Sequence, residues 1–316
     1  MNRTRSLIAG AAVVALAAAA AFVTLGGSGT AITEEAAAEP ANPNASLVAT
    51  SGQFMASCPY THSLPDDPIV HRNMAAMSHV HDFFGNASTN ARSTYSSLLA
   101  AKSSCDDVGD RSAYWTPALF VNGARALPER VDAYYRVGSG VDPKAVVPFP
   151  RGLKALAGEQ GSTRAQSPSV VAWTCGLSPK LHSVPPSGCG TDNPVNLRLT
   201  FPDCWNGRSL DSSDHRSHLA YSTTAGCPSG HRVPIPQLTL VVHYPVSGAV
   251  TSSYLASGPI TGAHGDFFVA WRQQRIEAQV HGCLNRSVTC GILGGTFHTG
   301  PGSRDLNSYN HPESVR

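Results

Sequence analysis

The sequence predicts a mostly β protein: one antiparallel, sandwich or jelly-roll-like domain with long disulfide-braced loops and few short helices. Three observations carry this. Charged residues are only 14% of the 316, against roughly 25% in an average globular chain, while 29 Gly and 23 Pro punctuate the sequence. Runs rich in β-branched and aromatic residues recur between those turn signals. Eight cysteines, an even number, all lie downstream of an apolar leader. The apolar share of 41% excludes a disordered chain, and a net charge of +2 excludes a basic nucleic-acid footprint.

Residues 1–32 read as an export signal. Arg3 and Arg5 precede an uncharged run from Leu7 to Leu25, and small residues around Gly29 to Ala31 offer a cleavage site. The run is also long enough for an uncleaved anchor, which would be the chain's one membrane contact. Its Ala-rich, weakly hydrophobic character favours cleavage, and the two Arg leave the body outside the cytoplasm in either case. Residues 33–50 are Ala, Glu, Pro and Asn without periodicity, a flexible tether. Residues 51–316 are then a single secreted domain. In an oxidising compartment its cysteines predict four disulfides, and sequential pairing is expected: Cys58–Cys105, Cys175–Cys189, Cys204–Cys227 and Cys283–Cys290. A zinc knot would need close Cys-x-x-Cys spacing, which is absent. Sequons at Asn44, Asn86 and Asn285 matter only in a host that glycosylates asparagine.

Within the body, strands are expected at 113–121, 130–137, 169–175, 195–201, 237–246 and 266–271. VNLRLTF and LTLVVHY alternate with period two, the pattern of strands with one buried face. Short helices are expected at 96–102 and 151–158, and residues 158–168 read as a loop.

Thirteen histidines are many for so few charges, and three segments combine His with Asp: His79, His81 and Asp82; Asp211, Asp214, His215 and His218; His264 and Asp266. In a strand, His79 and His81 point to one face and can converge on an ion or substrate. On a helical turn, His215 and His218 are neighbours. A carboxylate beside a histidine fixes its tautomer and raises its basicity, which serves both proton transfer and metal binding. A bland reading stands beside this: Asp214 caps a turn, Gly265 gives a tight turn freedom, and each His is a satisfied structural residue. All three segments being innocent at once is the less economical reading, so a shared pocket is expected. His79, His81, Asp214, His215, His218, His264 and Asp266 are its candidate catalytic residues. His79, His81 and His264 are the candidate ligands of one divalent metal ion. Tyr114, Trp115 and Trp205 are candidate platforms for sugar rings, with Arg216 binding hydroxyls or carboxylates. Gly-x-Ser-x-Gly, His-Glu-x-x-His and P-loop motifs are absent, which disfavours those enzyme classes. The positions where a cupin would carry Glu after His-x-His hold Phe84, Gly85 and Asn86.

The runs HVHDFFGN, DRSAYWTPALF, FPDCWNGRSLDSSDHRSHLAYS, CPSGHRVPIPQL and GAHGDFFVAW, in this order, resemble the secreted family catalogued as domain of unknown function nineteen-ninety-six. The likeness spans about 66–283, and its motif His and Asp residues fall on His79, His81, Asp214, His215, His218, His264 and Asp266. RNMAAMSHVH departs from the Gly-containing approach expected before the first motif. The family occurs in actinobacteria and filamentous fungi, where members can carry modules thought to bind carbohydrate. The resemblance implies an exported protein working at a cell wall or on extracellular polymer, and no assigned reaction. Two functions follow as expectations. The first is a carbohydrate-active enzyme, hydrolase or lyase, acting on polysaccharide through the His/Asp site, with or without a metal. The second is a non-catalytic wall-binding or structural envelope protein.

Overall fold

Strands pair wherever apolar alternation and turn residues agree, and a computed structural model describes this for residues 52–290. The leader and tether, and residues 291–316 of the expected domain, lie outside the described residues. In the first half of the chain the strands are β1 (Gln53–Leu64), β2 (His81–Gly85), β3 (Ala113–Pro117), β4 (Leu119–Val121), β5 (Ala124–Ala126), β6 (Arg130–Arg136) and β7 (Lys154–Gly158). The second half adds β8 (Val171–Cys175), β9 (Val195–Thr200), β10 (Cys204–Trp205), β11 (Leu219–Ala220), β12 (Val233–Pro234), β13 (Gln237–His243), β14 (Ser253–Leu255), β15 (Gly258–Pro259) and β16 (His264–Phe268). Two short helices accompany them, α1 (Tyr95–Ala100) and α2 (Gln273–Gln279).

Nine strands form one antiparallel sheet in the order β7-β16-β3-β2-β1-β6-β13-β9-β8. The long β1 is its spine. Residues Gln53 to Pro59 pair with β6, and Tyr60 to Leu64 pair with β2 across an irregularity in register between Tyr60 and His62. Pro59 sits at this changeover, where a strand can lack one amide donor. The sheet folds about this line into two facing halves. Their inner faces share one core that includes Phe54, Tyr114, Tyr135, Trp173, Leu199, Leu240 and Phe267. A Cβ at Gly158, on edge strand β7, would lie 3.0 Å from Val171 on edge strand β8, so the sandwich nearly closes on itself. The predicted mostly β, antiparallel class is what the chain adopts.

A second apolar cluster, with Ile69, Phe83, Leu98, Trp115 and Phe268, packs on the outer face of the β2-β3-β16 half. Residues between β1 and β2, together with α1, cover that face. Thr94 caps α1 through a reciprocal pair with Ser97. All four disulfides follow the expected sequential pairing, and no free cysteine remains among the described residues.

Some expectations are corrected. Residues 151–158 are not a helix: Gly152 and Gly158 both have positive φ, and Lys154–Gly158 between them pairs with β16 as an edge strand. The 113–121 run is two strands, β3 and β4, which join different sheets. The 266–271 run is strand only to Phe268 and begins earlier, at His264. β13 is buried on both faces rather than one, its outward Thr239 and Val241 lying among the longer side chains of the neighbouring strands. β1 has no counterpart among the expected strands, since Cys58 and Pro59 interrupt its alternation. Asn86 is no glycan acceptor in this fold: it is fully buried, and its amide donates to the carbonyls of Leu98 and Arg111.

Candidate functional site

The site lies on the outer face of the β2-β3-β16 half. Alternation along β2 sends His81 and Phe83 outward, and alternation along β16 sends His264, Asp266 and Phe268 to the same side. His81 stands opposite Pro117 of β3, and Asp266 stands opposite Trp115. β3 therefore separates the two histidine-bearing strands by a single strand width. His79, on the extended approach to β2, completes the group. Ring centroids are 4.1 Å apart for His79 and His81, 5.2 Å for His79 and His264, and 6.0 Å for His81 and His264. Potential ligand atoms of these three imidazoles all lie within 4.8 Å of one another, and the same holds for Asp67, His81 and Asp266. His81 belongs to both sets, so one buried patch collects three imidazoles and two carboxyls.

Hydrogen bonding fixes how the rings present themselves. His81 Nδ1 lies 3.0 Å from the Asp66 carbonyl, and His264 Nδ1 lies 2.9 Å from the Gly262 carbonyl. A carbonyl only accepts, so Nδ1–H donates in both rings, and in the neutral form Nε2 is left with its lone pair. Nε2 of His79, Nε2 of His81 and Oδ2 of Asp266 are buried without a hydrogen-bond partner. Such groups are costly to leave unmatched. Asp67 is anchored by the amides of Ile69 and Val70 on Oδ1.

Burial also decides the protonation states. It pushes His79 and His264 down to about 4, and His81 well below the ordinary range, with the neighbouring histidines adding to the effect for His79 and His81. Burial raises Asp266 well above the ordinary carboxylate range, with Asp67 adding repulsion, and raises Asp67 as well. Three neutral imidazoles beside two carboxyls that resist ionising form a donor set that a divalent cation would satisfy. Three His nitrogens with carboxylate oxygen suit zinc or another first-row ion, and backbone carbonyls behind the rings are the usual outer support of metal-bound imidazole.

The second His/Asp segment has another role. His218 is fully buried, with Nδ1 on the Ser212 hydroxyl and Nε2 on the Lys154 carbonyl. Asp214 accepts from Ser212 and from the Ser217 hydroxyl, and from the amides of Arg216 and Ser217, which holds its carboxyl well below the usual range. Asp214 is exposed and its hydrogen bonds stay within the loop, whereas His218 pins the loop onto β7, so the expectation that His218 acts on substrate is corrected to a structural role. The reason is that every polar atom of the His218 ring is already engaged. His215, at φ 57, is held by Asp211 through Nδ1 at 2.8 Å. It lies within electrostatic range of Asp67, and Arg216 lies within that range of His264 and Asp266 while donating to the Gly158 carbonyl. The loop thus places His215 and Arg216 beside the histidine cluster.

Two of the three aromatic expectations are also corrected. Tyr114 and Trp115 are fully buried and offer no face to a sugar. Tyr114 bonds to Asp110 and Tyr135 inside the core, because β3 lies near the middle of the sheet with both faces covered. Trp205 is half-buried, its indole N–H donating to the Ser209 carbonyl. Asp82 points away from the cluster into an ion pair with Arg125. Sequence reasoning missed Asp67, and it named Asp211 in the second segment without giving it a role. Asp67 follows Asp66 in the acidic pair of the PDDP run, which was the available signal.

No curated protein and no solved structure matches the chain. One family model does, over residues 67–271, a span that opens at Asp67, holds both histidine strands and closes just beyond β16. With that match covering more than half of its length, the chain belongs to the family described as Domain of unknown function (DUF1996).

Proposed function

We propose that this protein is an exported, metal-dependent carbohydrate-active enzyme, a hydrolase or lyase working on cell-wall or extracellular polysaccharide. The carrying observation is the convergence of three imidazoles, two of them with Nδ1 tied to backbone carbonyls, on one patch with two carboxyls. His79, His81 and His264 would hold the ion, with either Asp266 or Asp67 supplying oxygen. When bound, such an ion polarises a substrate oxygen and makes water acidic near neutral pH.

The remaining residues have ordinary roles around it. The carboxyl not engaged by the ion takes up a proton. His215, whose Nδ1–H is held by Asp211, presents Nε2 to move a proton to or from the leaving oxygen. Arg216 faces developing negative charge. The substrate class rests on the family resemblance and on the cystine-braced, export-type sequence. Among the described residues, no helix is long and apolar enough to cross a membrane.

The alternative, a binding or structural envelope protein, is favoured by His218 being a structural pin. One experiment separates the two. Protein purified without added metal or chelator is analysed for bound ion, then offered a panel of purified polysaccharides with product detection by mass. Metal-dependent cleavage that is lost in His264→Ala supports the enzyme. Binding without turnover on the metal-loaded protein transfers the case to the alternative.

A further inference from the structure

The opposite half of the sandwich carries a second feature, on the outward face of β6, β13 and β9. Period-two alternation puts Tyr134 and Arg136 of β6 on this face, with Thr239 and Val241 of β13 and Arg198 of β9. Tyr134 stands opposite Thr239, and Val241 stands opposite Arg198. These five residues line a cleft of about 270 Å³, completed by Gly176, Leu177 and Ser178 after β8. Its floor is two small buried side chains, and its walls are two guanidinium groups and a phenol.

The charges here do not balance. Arg136 stacks over Tyr134 at 4.9 Å and donates through Nε to the Gln53 amide oxygen. Among the described residues neither Arg136 nor Arg198 forms an ion pair. The nearest acid on this face, Asp132, is already taken by Arg130, His243 and Ser57. Burial, with Arg198 adding repulsion, holds the Arg136 guanidinium below its ordinary range. Two half-buried guanidiniums on one cleft, without a carboxylate, meet the requirement for an anion that presents paired oxygens. The exposed Leu177 and the Tyr134 edge add an apolar rim of the kind that a sugar ring covers.

We propose that this cleft binds the carboxylate of an acidic sugar residue, so that the sandwich grips an anionic polysaccharide on a surface separate from the histidine cluster. The site does not depend on the catalytic reading and would serve a binding protein equally well. The carboxylate accepts from Arg136 and Arg198, and the Tyr134 hydroxyl donates to it or to a ring hydroxyl.

The test is calorimetric titration of the exported domain with trigalacturonate, with a neutral trisaccharide and with inorganic phosphate, before and after chelation of metal. Trigalacturonate should bind, the neutral sugar should not, and affinity should fall with salt. Arg198→Gln should weaken binding about tenfold or more, and Tyr134→Phe by less, with thermal midpoints matching the parent. Chelation should leave the binding unchanged, which separates failure here from failure of the metal site. Three outcomes would overturn the proposal: no binding of trigalacturonate, equal binding by Arg198→Gln, or phosphate binding as tightly as the sugar acid. Should either variant unfold, Arg198→Lys, which keeps the charge but loses the paired geometry, must weaken binding, and parental affinity in it overturns the proposal.

Discussion

Titrating zinc into metal-free protein should raise its thermal midpoint, and His264→Ala should remove nearly all of that rise. His264, 4% exposed, offers Nε2 to the cluster while Nδ1 is tied to Gly262. An ion that binds only the folded state stabilises it by RT ln(1 + [L]/Kd), about 2.7 kcal/mol at free zinc 100 times Kd. For a domain of this size each kcal/mol is worth about 2–4 °C, so a rise of roughly 5–10 °C is expected. Losing one of three imidazole ligands should raise Kd about 100-fold or more, by comparison with the 10–100-fold cost of losing an outer-shell partner alone. At the same free zinc the variant then gains only about 0.4 kcal/mol, roughly 1 °C. The assay is differential scanning calorimetry in buffered zinc, run beside His281→Ala, an exposed histidine outside the cluster bonded to Asn285. Equal shifts in His264→Ala and the parent would refute the assignment of these ligands. So would the absence of any shift with zinc, manganese, nickel or cobalt.

Other expected outcomes concern the scaffold. Asp110 is fully buried and, chiefly through burial, raised to about 7, so folded protein holds a proton there that the unfolded chain releases above about 4. The folded state binds more protons, so the Asp110 contribution to stability is present below about 4 and lost as pH rises to 7. Asp110→Asn should therefore gain stability relative to the parent between pH 4 and 7, by an amount of order a few kcal/mol, measured by denaturant titration. A flat difference across that range would oppose it. Gly158→Ala should destabilise by about 2 kcal/mol or more, because φ is +77° and a Cβ would meet the Ala263 carbonyl at 2.4 Å. Chemical denaturation reads this, and a neutral result would contradict the geometry. Trp115→Ala should cost about 3–5 kcal/mol as a core truncation. If it instead weakened only sugar binding while the midpoint held, the burial argument would fail.

The general class was legible in the sequence because it rests on local information, and the cysteine count foretold four disulfides, while their pairing was an expectation that the fold then bore out. Gly and Pro punctuation and period-two runs such as VNLRLTF fix who can pair nearby and which face turns inward. The His79 and His81 partnership was legible for the same reason: two residues apart in an extended segment share a face. The helix expected at 151–158 failed because RGLKALAG suits a helix locally, while two positive-φ glycines and the open edge of β16 favoured a strand. Only tertiary structure could bring His264 and Asp266, nearly two hundred residues later, beside that pair, since β3 must first lie between their strands. Only burial could separate His218, with both nitrogens engaged, from His81, with one left open, although each sits in an equally suggestive motif. The sequence by itself determined which residues could do chemistry. Which of them meet, and with which atoms unpartnered, was decided by long-range strand order and desolvation, and neither is written in any local stretch of the chain.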